Sequence, residues 1–527
     1  MSNARIPAVR NQSLITASIA ILGIFIAWQV AQEITANNIR WLTFAVAGFV
    51  AVVAAVTILR NWRLGFYMFL FWMLFEDLFR KYMGNGVALF FGKDILVALV
   101  YLSLFAAIRK KREKRFRAPF LFVLGVFFLL GVLQVFNPNS PHILYGLLGF
   151  KTYFFYVPLM YVGYALIRND EDLRKFLVIN VGLAGLIGAL GIAQAILGNS
   201  FLNPAHLAPE LQDLGNLEKS TPITNQLFSL PDSVFVSSGR YDFFLVLAFI
   251  LALGTGGYLL LGNLRGRNIV FPAIGVIGVA TLLCGSRGAV MFMLITSLAL
   301  VSGFLWGAPW RQRQAHRMVK AIRKSIVFAA IGFALLLFLF PQEAGSRIEY
   351  YTETLLPGSS AYELENRSWD YPLRNLADAF NRPNWVLGNG IGTASLGGQY
   401  VAKAIGISPL NLGVEEGYGV LIVEMGIIAP FLWILWTASL LYCAWGVVRP
   451  LRQTRLFPIA LAIFWFAFLL LYPMTYGGFS AYQNYTYNIY FWLLVGVLFR
   501  LPEIQTSTPN LVPIPSTRSR AKGGFQF

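Results

Sequence analysis

The residue in this sequence best suited to chemistry is Arg287, within Ser286-Arg287-Gly288. It stands in a turn of about five residues between two apolar runs, 269–284 and 289–306. A permanently charged guanidinium at the end of an apolar hairpin is costly, and its planar fork suits phosphate oxygens. Gly288 lets a ligand or another backbone come close, and the short turn leaves the side chain little freedom, so we expect Arg287 to have a specific contact. The structural alternative is an interfacial arginine that reaches toward lipid phosphate.

Four further charged residues lie at predicted helix ends. Arg240 lies at the end of a predicted span, where it either joins the anion site or pairs with Asp242. Arg367 comes just before a short amphipathic helix that is predicted to start near position 371. Glu415 and Glu416 begin a predicted long helix that runs to position 447. Acids in a first turn favour the helix dipole, and a carboxylate placed there is also suited to act as a general base.

Two other motifs have ordinary structural explanations. Asp170-Glu171-Asp172 imitates an acidic metal motif, but an acidic first helical turn accounts for it. The glycine-rich run 388–392 resembles a phosphate-binding loop, yet no strand precedes it and its glycines are misplaced, so a tight turn is favoured. The three histidines have no partners at metal-ligand spacing. We therefore predict no metal site and no cofactor.

The composition indicates which elements must position these residues. The chain is 57% hydrophobic and only 13% charged, whereas soluble domains carry about 25% charge. We therefore predict an all-α, polytopic integral membrane bundle. The fourteen predicted spans lie at roughly 14–32, 41–59, 64–79, 91–108, 118–136, 153–167, 176–197, 242–262, 269–284, 289–307, 325–341, 417–447, 456–476 and 485–500.

The distribution of charge predicts the orientation. Of the 42 basic residues, 29 fall on the side of the N-terminus, whereas most acidic residues fall on the other side. By the positive-inside rule, both termini are cytoplasmic. The same rule accounts for the net charge of +18, so we expect no nucleic-acid partner. The hydrophilic stretches 198–241 and 342–416 and the turn at Arg287 then lie outside, away from nucleotides.

Two domains are predicted. Residues 1–500 form the membrane domain, whose two outer loops contain short amphipathic helices. Residues 501–527 are rich in Pro, Ser and Thr and are typical of a disordered cytoplasmic tail.

The chain resembles the superfamily of O-antigen ligases and polysaccharide polymerases, which are multi-span bacterial membrane proteins. The similarity covers roughly 230–450 and follows the family's order of motifs. The motifs are Leu282 to Ala289 with its Ser-Arg-Gly turn, Asn366-Arg367-Ser368-Trp369, Trp385 to Gly392, Glu415 to Tyr418, and Glu424 to Ile428.

The resemblance implies a GT-C-like helical fold and a glycosyltransferase of the bacterial inner membrane. Its donor would be a glycan on undecaprenyl diphosphate, its acceptor a sugar hydroxyl on the outer face, and its surroundings membrane lipids. A chain-length regulator or a flippase is a further candidate partner. Arg287 and Arg367 match the family's two functional arginines. Ligases have a histidine where Glu415 aligns, which favours a polymerase of exopolysaccharide or O-antigen over a ligase.

The chemistry that these residues offer is coherent. Arg287 and Arg367, with Arg240 as a further candidate, would hold the diphosphate, and Glu415 or Glu416 would take the acceptor proton. Direct attack would invert the anomeric carbon. A membrane transporter or a flippase is the alternative from another class. Such proteins put polar or broken helices at mid-membrane and often show paired repeats, whereas here only Glu424 is clearly charged within a predicted span.

Overall fold

A computed structural model describes residues 39–84, 87–204, 211, 217–305, 311–408, 410, 412 and 417–507. About 75% of the structure is helical and almost none of it is sheet, which confirms the all-α prediction. The predicted first span, 14–32, and residues 508–527 of the predicted tail lie outside the described residues. Residues 501–507 belong to a helix, so the prediction of a disordered tail from residue 501 is wrong at its start.

Most helices before the Ser-Arg-Gly turn are joined by short connections, and the long stretch after Leu197 is the exception. They span Ile39–Arg60, Trp62–Met83, Val87–Arg109, Leu121–Val135, Ile143–Phe154, Leu159–Leu166, Asp170–Leu197, Ser238–Leu261 and Arg267–Leu283.

The helices from the turn onward differ more in length. They span Arg287–Leu305, Arg311–Leu339, Pro341–Leu355, Tyr371–Ala379, Gly398–Ile405, Gly419–Met425, Ile428–Leu451, Phe457–Leu469 and Tyr485–Ser507, with shorter helical turns at Asn366–Asp370, Leu470–Met474, Thr475–Gly477 and Ser480–Gln483.

Within the described residues, seven helices are long and apolar enough to cross a membrane, and each overlaps a predicted span. Large apolar side chains stand out from such helices, for example Leu102 at 63% exposure and Tyr442 at 83%. Exposed apolar surface of this extent is typical of contact with lipid or a partner. The helices indicate a membrane protein, and the count of fourteen spans stays a prediction. The seven are Leu89–Arg109, Ile143–Leu166, Asp170–Leu197, Ser238–Leu261, Arg287–Phe304, Ile428–Leu451 and Phe457–Gly477.

The chain divides into two compact units, and the first comprises residues 1–71 and 92–110. In it, Gly65 fits against Ile58, because a Cβ at Gly65 would lie 2.8 Å from Ile58 Cγ1. Ser103 Oγ donates a hydrogen bond to the Leu59 carbonyl at 3.2 Å. Small and hydroxyl side chains thus let these apolar helices approach closely.

The second unit comprises residues 72–91 and 111–527. The helix Ser238–Leu261 is its centre, since 89% of its apolar span is buried inside the protein. A helix that is apolar all round is expected to be surrounded by other helices. It packs closely against the helix Phe457–Leu469, where a Cβ at Gly254 would overlap the Ala462 side chain.

Glycines also set the contact between the helices Leu159–Leu166 and Tyr485–Ser507. A Cβ at Gly163 would overlap the carbonyl oxygen of Leu493, and a Cβ at Gly496 would overlap that of Met160. The two backbones therefore touch at a reciprocal pair of small residues, a packing mode common in membrane helices.

The predicted continuous helix from Glu415 to 447 is wrong. One helix ends at Met425 and the next begins at Ile428. Gly426 separates them with φ +82° and ψ 175°, a conformation that is essentially restricted to glycine. A Cβ there would overlap the carbonyl oxygen of Val386. The break is thus required by a close approach of two backbone segments.

The two hydrophilic stretches are more ordered than the sequence indicated. The stretch 198–241 contains an antiparallel pair of short strands, Glu218–Ser220 and Leu227–Ser229, in which Lys219 lies opposite Phe228. In the stretch 342–416 the predicted short helix is present at Tyr371–Ala379. Asp370 does not cap it, because Asp370 is itself helical and ends a π-helical turn.

Candidate functional site

The turn that carries Arg287 is shorter than predicted. The helix before it ends at Leu283 and the next begins at Arg287 itself, so the arginine opens a helix and does not lie in a loop. Ser286 Oγ accepts a hydrogen bond from the Ala289 backbone N–H at 3.3 Å, as an N-cap does. Gly285 makes the turn at φ +75°, and a Cβ there would lie 2.5 Å from Leu230 Cδ2.

The carbonyl groups at the end of the preceding helix have partners from both hydrophilic stretches. Arg347 Nε donates to the Leu283 carbonyl at 2.8 Å, and Tyr351 Oη donates to that of Leu282 at 3.1 Å. Lys219 Nζ donates to the Gly285 carbonyl at 3.3 Å. Helix C-termini leave such carbonyls unpaired unless other groups reach them. These contacts fix the turn, and with it the start of the helix that carries Arg287.

Arg347 also joins these two stretches to each other. Its Nη2 donates to the Ser229 carbonyl at 2.7 Å, and its guanidinium lies 5.3 Å from the centre of the Phe228 ring. The side chain is fully buried. The sequence reasoning did not single it out; the only signal was an arginine in a predicted outer loop.

Arg287 is mostly buried, with its side chain 21% exposed, and it faces the stretch 342–416. Its Nη1 lies 2.8 Å from Glu363 Oε2. Its guanidinium also lies 5.3 Å from the centre of the Tyr350 ring, a cation–π distance. The side chain therefore has a fixed position between a carboxylate and an aromatic face.

Arg367 reaches the same carboxylate oxygen. Its Nε lies 3.7 Å from Glu363 Oε2, and its guanidinium lies 5.2 Å from the Tyr371 ring centre. The Arg367 side chain is 55% exposed and that of Glu363 is 39% exposed. Arg367 belongs to the π-helical turn Asn366–Asp370, a feature that is frequent at functional sites. The structure thus brings together the two arginines that the sequence analysis selected.

Lys219 adds a third cation to this cluster. Its Nζ lies 5.2 Å from the centre of the Tyr350 ring, the same ring that Arg287 contacts. We call Lys219, Arg287, Tyr350, Glu363 and Arg367 the arginine cluster. The sequence reasoning missed Lys219 and Glu363, because only the tertiary fold brings the strand pair and the segment before Asn366 to the turn.

Arg240 is not part of the arginine cluster. Its Nη1 lies 2.7 Å from Asp77 Oδ2, and its guanidinium lies 5.1 Å from the Tyr485 ring centre. Asp77 Oδ1 accepts from Arg80 Nη1 at 2.8 Å. Both alternatives for Arg240 are corrected: it neither joins the other two arginines nor pairs with Asp242. Its partner lies on a helix far away in sequence, so local spacing could not identify it.

A second buried ion pair extends this network. Lys81 Nζ lies 2.8 Å from Asp232 Oδ1, and both side chains are 1% exposed. Gln194 Nε2 also donates to Asp232 Oδ1 at 2.8 Å. Burial raises the pKa of the Asp232 carboxyl, and the Lys81 ammonium opposes that rise. The sequence analysis did not single out either residue, and the structure buries them against each other.

Asp242 lies instead beside the Ser-Arg-Gly turn. Its carboxyl group is close to Cys284 and Ser286, and its Oδ1 is buried with no hydrogen-bond partner among the described residues. A carboxylate thus stands next to the residue that caps the helix of Arg287.

The predicted bases Glu415 and Glu416 lie outside the described residues. The described residues that follow them begin with Gly417, which has φ +70° and fits against the Tyr476 carbonyl, and Tyr418, whose ring lies 6.2 Å from that of Tyr476. The helix Gly419–Met425 starts directly afterwards. The chain is thus anchored just after the two glutamates.

Two of the motifs that carry the family resemblance pack on each other. The Asn389 and Gly390 backbone N–H groups donate to the Val423 and Glu424 carbonyls at 2.8 and 3.0 Å. The glycine-rich run therefore supplies hydrogen-bond donors for the carbonyls at the end of the helix Gly419–Met425. Gly388, Gly390 and Gly392 all have positive φ, so the run forms turns.

Glu424 itself is fully buried. Its Oε2 accepts from Tyr153 Oη at 2.8 Å, and its Oε1 accepts from Ser395 Oγ at 2.8 Å and from the Ala394 N–H at 3.0 Å. With these donors it holds the glycine-rich run to the helix Ile143–Phe154, so we assign it a structural role.

The acidic run Asp170-Glu171-Asp172 is the first turn of the helix Asp170–Leu197. Asn169 caps that helix by accepting from the Asp172 N–H at 2.9 Å. This is the structural explanation that the sequence favoured. Among the residues that the structure describes, no group of three or more His, Cys, Asp or Glu side chains is arranged to hold a metal ion.

Comparison with known proteins identified no relative of this chain. No protein-family model matches the chain, and no curated protein matches it. The resemblance to ligases and polymerases therefore rests on the motifs and on what their residues do in the structure.

Proposed function

We propose that this protein is a metal-independent glycosyltransferase that takes a glycan from undecaprenyl diphosphate and joins it to a sugar hydroxyl. The observation that carries the proposal is the convergence of Arg287 and Arg367 on one oxygen of Glu363, at 2.8 and 3.7 Å. Two guanidinium groups that share one carboxylate oxygen can share the oxygens of one diphosphate. Arginine forks bind such oxygens bidentately.

The reaction follows from these positions. The acceptor hydroxyl attacks the anomeric carbon, the bond from that carbon to the diphosphate oxygen breaks, and undecaprenyl diphosphate leaves with the electron pair. Arg287 and Arg367 stabilise the negative charge that develops on the leaving group, with Lys219 as a third cation beside them. Fixed charges of this kind contribute several kcal/mol to a transition state.

A carboxylate would take the acceptor proton, and we assign this role to Glu415 or Glu416. Proton transfer by a positioned base accelerates such a step roughly 10²–10⁴-fold. Direct attack inverts the configuration at the anomeric carbon. Polymerisation of an exopolysaccharide or O-antigen is the preferred reaction, because family ligases have a histidine where Glu415 aligns. Ligation to a lipid or protein acceptor is the alternative within the same chemistry.

The proposed location is the bacterial inner membrane, with cytoplasmic termini and the arginine cluster on the outer face. The charge asymmetry of the sequence supports this orientation. The partners are the lipid-linked donor, a glycan acceptor and membrane lipids, with a chain-length regulator or a flippase as a candidate.

The test is transfer by the purified protein in proteoliposomes that contain a lipid-linked oligosaccharide. Growth of a glycan ladder together with release of undecaprenyl diphosphate is expected for the natural sequence. Arg287→Lys should lose most of the activity while the protein still inserts, since an ammonium cannot reproduce the bidentate fork. Full activity of Arg287→Lys would overturn the assignment.

A knockout separates the two related reactions in cells. A polymerase predicts that the surface glycan ladder collapses to one repeat unit, whereas a ligase predicts intact polymer that stays on its carrier.

One observation favours transport as a second candidate function. Asp77, Arg80, Lys81 and Asp232 form buried ion pairs, and the helices around residue 426 are interrupted. Buried charges and broken helices are typical of transporters. Flux of a labelled lipid-linked oligosaccharide across the bilayer, without chain growth, would support transport.

A further inference from the structure

An open groove of about 600 Å³ lies away from the arginine cluster. Two arginines, Arg115 and Arg117, line it together with apolar and aromatic side chains. The others are Phe116, Pro119, Tyr164, Cys443, Val447 and Phe499. All of these residues belong to the second compact unit.

The segment before the helix Leu121–Val135 places both arginines on the same side. Burial alternates along residues 115–120, so that Arg115 and Arg117 are exposed while Phe116, between them, is only 6% exposed. The Phe116 ring stacks on the Tyr164 ring with centroids 4.8 Å apart and lies 5.5 Å from that of Phe499. The aromatic contact fixes the segment, and with it the direction of the two guanidinium groups.

Two nearby cations, Lys114 and Arg168, have carboxylate partners, whereas the two arginines of the groove do not. Lys114 Nζ lies 2.8 Å from Glu503 Oε2, and Arg168 Nη2 lies 2.6 Å from Glu113 Oε1. Within the described residues, neither Arg115 nor Arg117 forms an ion pair with an acid. The lining of the groove therefore combines two uncompensated positive charges with apolar and aromatic side chains.

The walls belong to a helix that is long and apolar enough to cross a membrane. Cys443 and Val447 lie near the end of the candidate span Ile428–Leu451. On the same helix, Tyr442 is 83% exposed and Trp445 is 38% exposed. An apolar chain in the groove can thus lie along a helix of this kind, beside Cys443 and Val447.

We propose that this groove binds one anionic phospholipid, with its phosphate on Arg115 and Arg117 and an acyl chain along Cys443, Val447 and Phe499. Guanidinium groups form charge-assisted hydrogen bonds to phosphate. Basic pockets beside membrane helices bind acidic lipid headgroups in this manner. The proposal is independent of glycan transfer, because none of these residues belongs to the arginine cluster.

The experiment is native mass spectrometry of the full-length protein in detergent, titrated with phosphatidylglycerol, phosphatidylcholine or inorganic phosphate. Phosphatidylglycerol should bind, and the other two should bind much more weakly. The double variant Arg115→Gln/Arg117→Gln should weaken the binding of phosphatidylglycerol roughly thirtyfold, since each arginine near an anionic surface contributes about fivefold to the affinity. The matched control is Lys111→Gln/Arg112→Gln, which removes the same charge from exposed positions outside the groove and should change affinity little.

A second variant tests the apolar wall while both arginines remain. Val447→Trp fills the groove and should weaken the binding of phosphatidylglycerol without changing the melting temperature of the protein. This variant tests the proposal even if the double variant fails to fold. Four outcomes would each overturn the proposal. Two concern the variants: Lys111→Gln/Arg112→Gln loses as much phosphatidylglycerol affinity as the double arginine variant, or Val447→Trp keeps its phosphatidylglycerol affinity. The other two are binding of phosphatidylcholine or of free phosphate as strong as that of phosphatidylglycerol.

Discussion

Glu363 Oε2 lies 2.8 Å from Arg287 Nη1 and also 3.7 Å from Arg367 Nε. One carboxylate oxygen therefore stands where the two arginines would bind a phosphate. An anionic ligand of these arginines must displace Glu363, which acts as their internal counter-ion. The position of Glu363 therefore predicts how a change of this residue alters the affinity of the arginine cluster for an anionic ligand.

Replacing Glu363 with glutamine should strengthen diphosphate binding. The Glu363 side chain is more than one third exposed to solvent, so the ion pair contributes about 0.2–1 kcal/mol. The Kd of Glu363→Gln for undecaprenyl diphosphate should therefore fall by up to about fivefold. The matched control is Glu365→Gln, which changes the same charge at an exposed position nearby. Equal tightening in both variants would show that general charge, and not displacement, sets the affinity.

Replacing Arg347 with methionine should destabilise the turn before Arg287. The change leaves the carbonyls of Leu283 and Ser229 without their donor, and each buried loss costs about 1–3 kcal/mol. Thermal unfolding in detergent should show a lower Tm, and glycan transfer should decrease with it. Arg374→Met, on an exposed face, is the control and should keep the Tm. An unchanged Tm in Arg347→Met would contradict the role of Arg347.

Replacing Gly426 with alanine should destabilise the contact between the two motif segments. The backbone conformation alone costs a non-glycine residue about 1–3 kcal/mol, and the new Cβ would also overlap the Val386 carbonyl. The control is Gly446→Ala, because a Cβ at that position in the next helix meets no atom within 4 Å. It should be neutral or slightly stabilising. If both variants melt at the same temperature, the close approach at Gly426 does not matter for stability.

Replacing Asp77 with asparagine should lower stability strongly. Arg80 is buried and Arg240 is mostly buried, and both pair with this carboxylate. Removing one partner of a buried ion pair costs about 3–5 kcal/mol. The free energy of unfolding, measured by denaturant titration, tests this. The control Glu171→Gln breaks an exposed ion pair with Lys175 and should leave the free energy of unfolding unchanged. An effect of Asp77→Asn no larger than that of this control would contradict the prediction.

Local patterns were sufficient to predict most helices and to select two arginines that the structure brings to one carboxylate. Apolar runs predict helices because each span must satisfy its own backbone hydrogen bonds. Arg287 was identifiable because the charge stands between two such runs, and the acidic turn at Asp170 because helix starts favour acids. These signals depend only on neighbours in the sequence.

Tertiary contacts explain what the sequence did not reveal. Glu363 and Lys219 come to Arg287 from separate stretches, and the Asp77–Arg240 pair joins distant helices. The break at Gly426 was missed because a glycine is tolerated inside membrane helices, and only the approach of Val386 requires it. The three-residue strands were too short for an alternating pattern to be visible.

The π-helical turn Asn366–Asp370 has a geometric consequence for Arg367. Such a turn holds one residue more than the same length of α-helix. One residue corresponds to about 100° of rotation around the helix axis. Deleting a single residue here would restore a regular helix and turn Arg367 relative to the helix Tyr371–Ala379 that follows. The direction from which Arg367 approaches Glu363 therefore depends on the number of residues in the turn Asn366–Asp370 as well as on their identity.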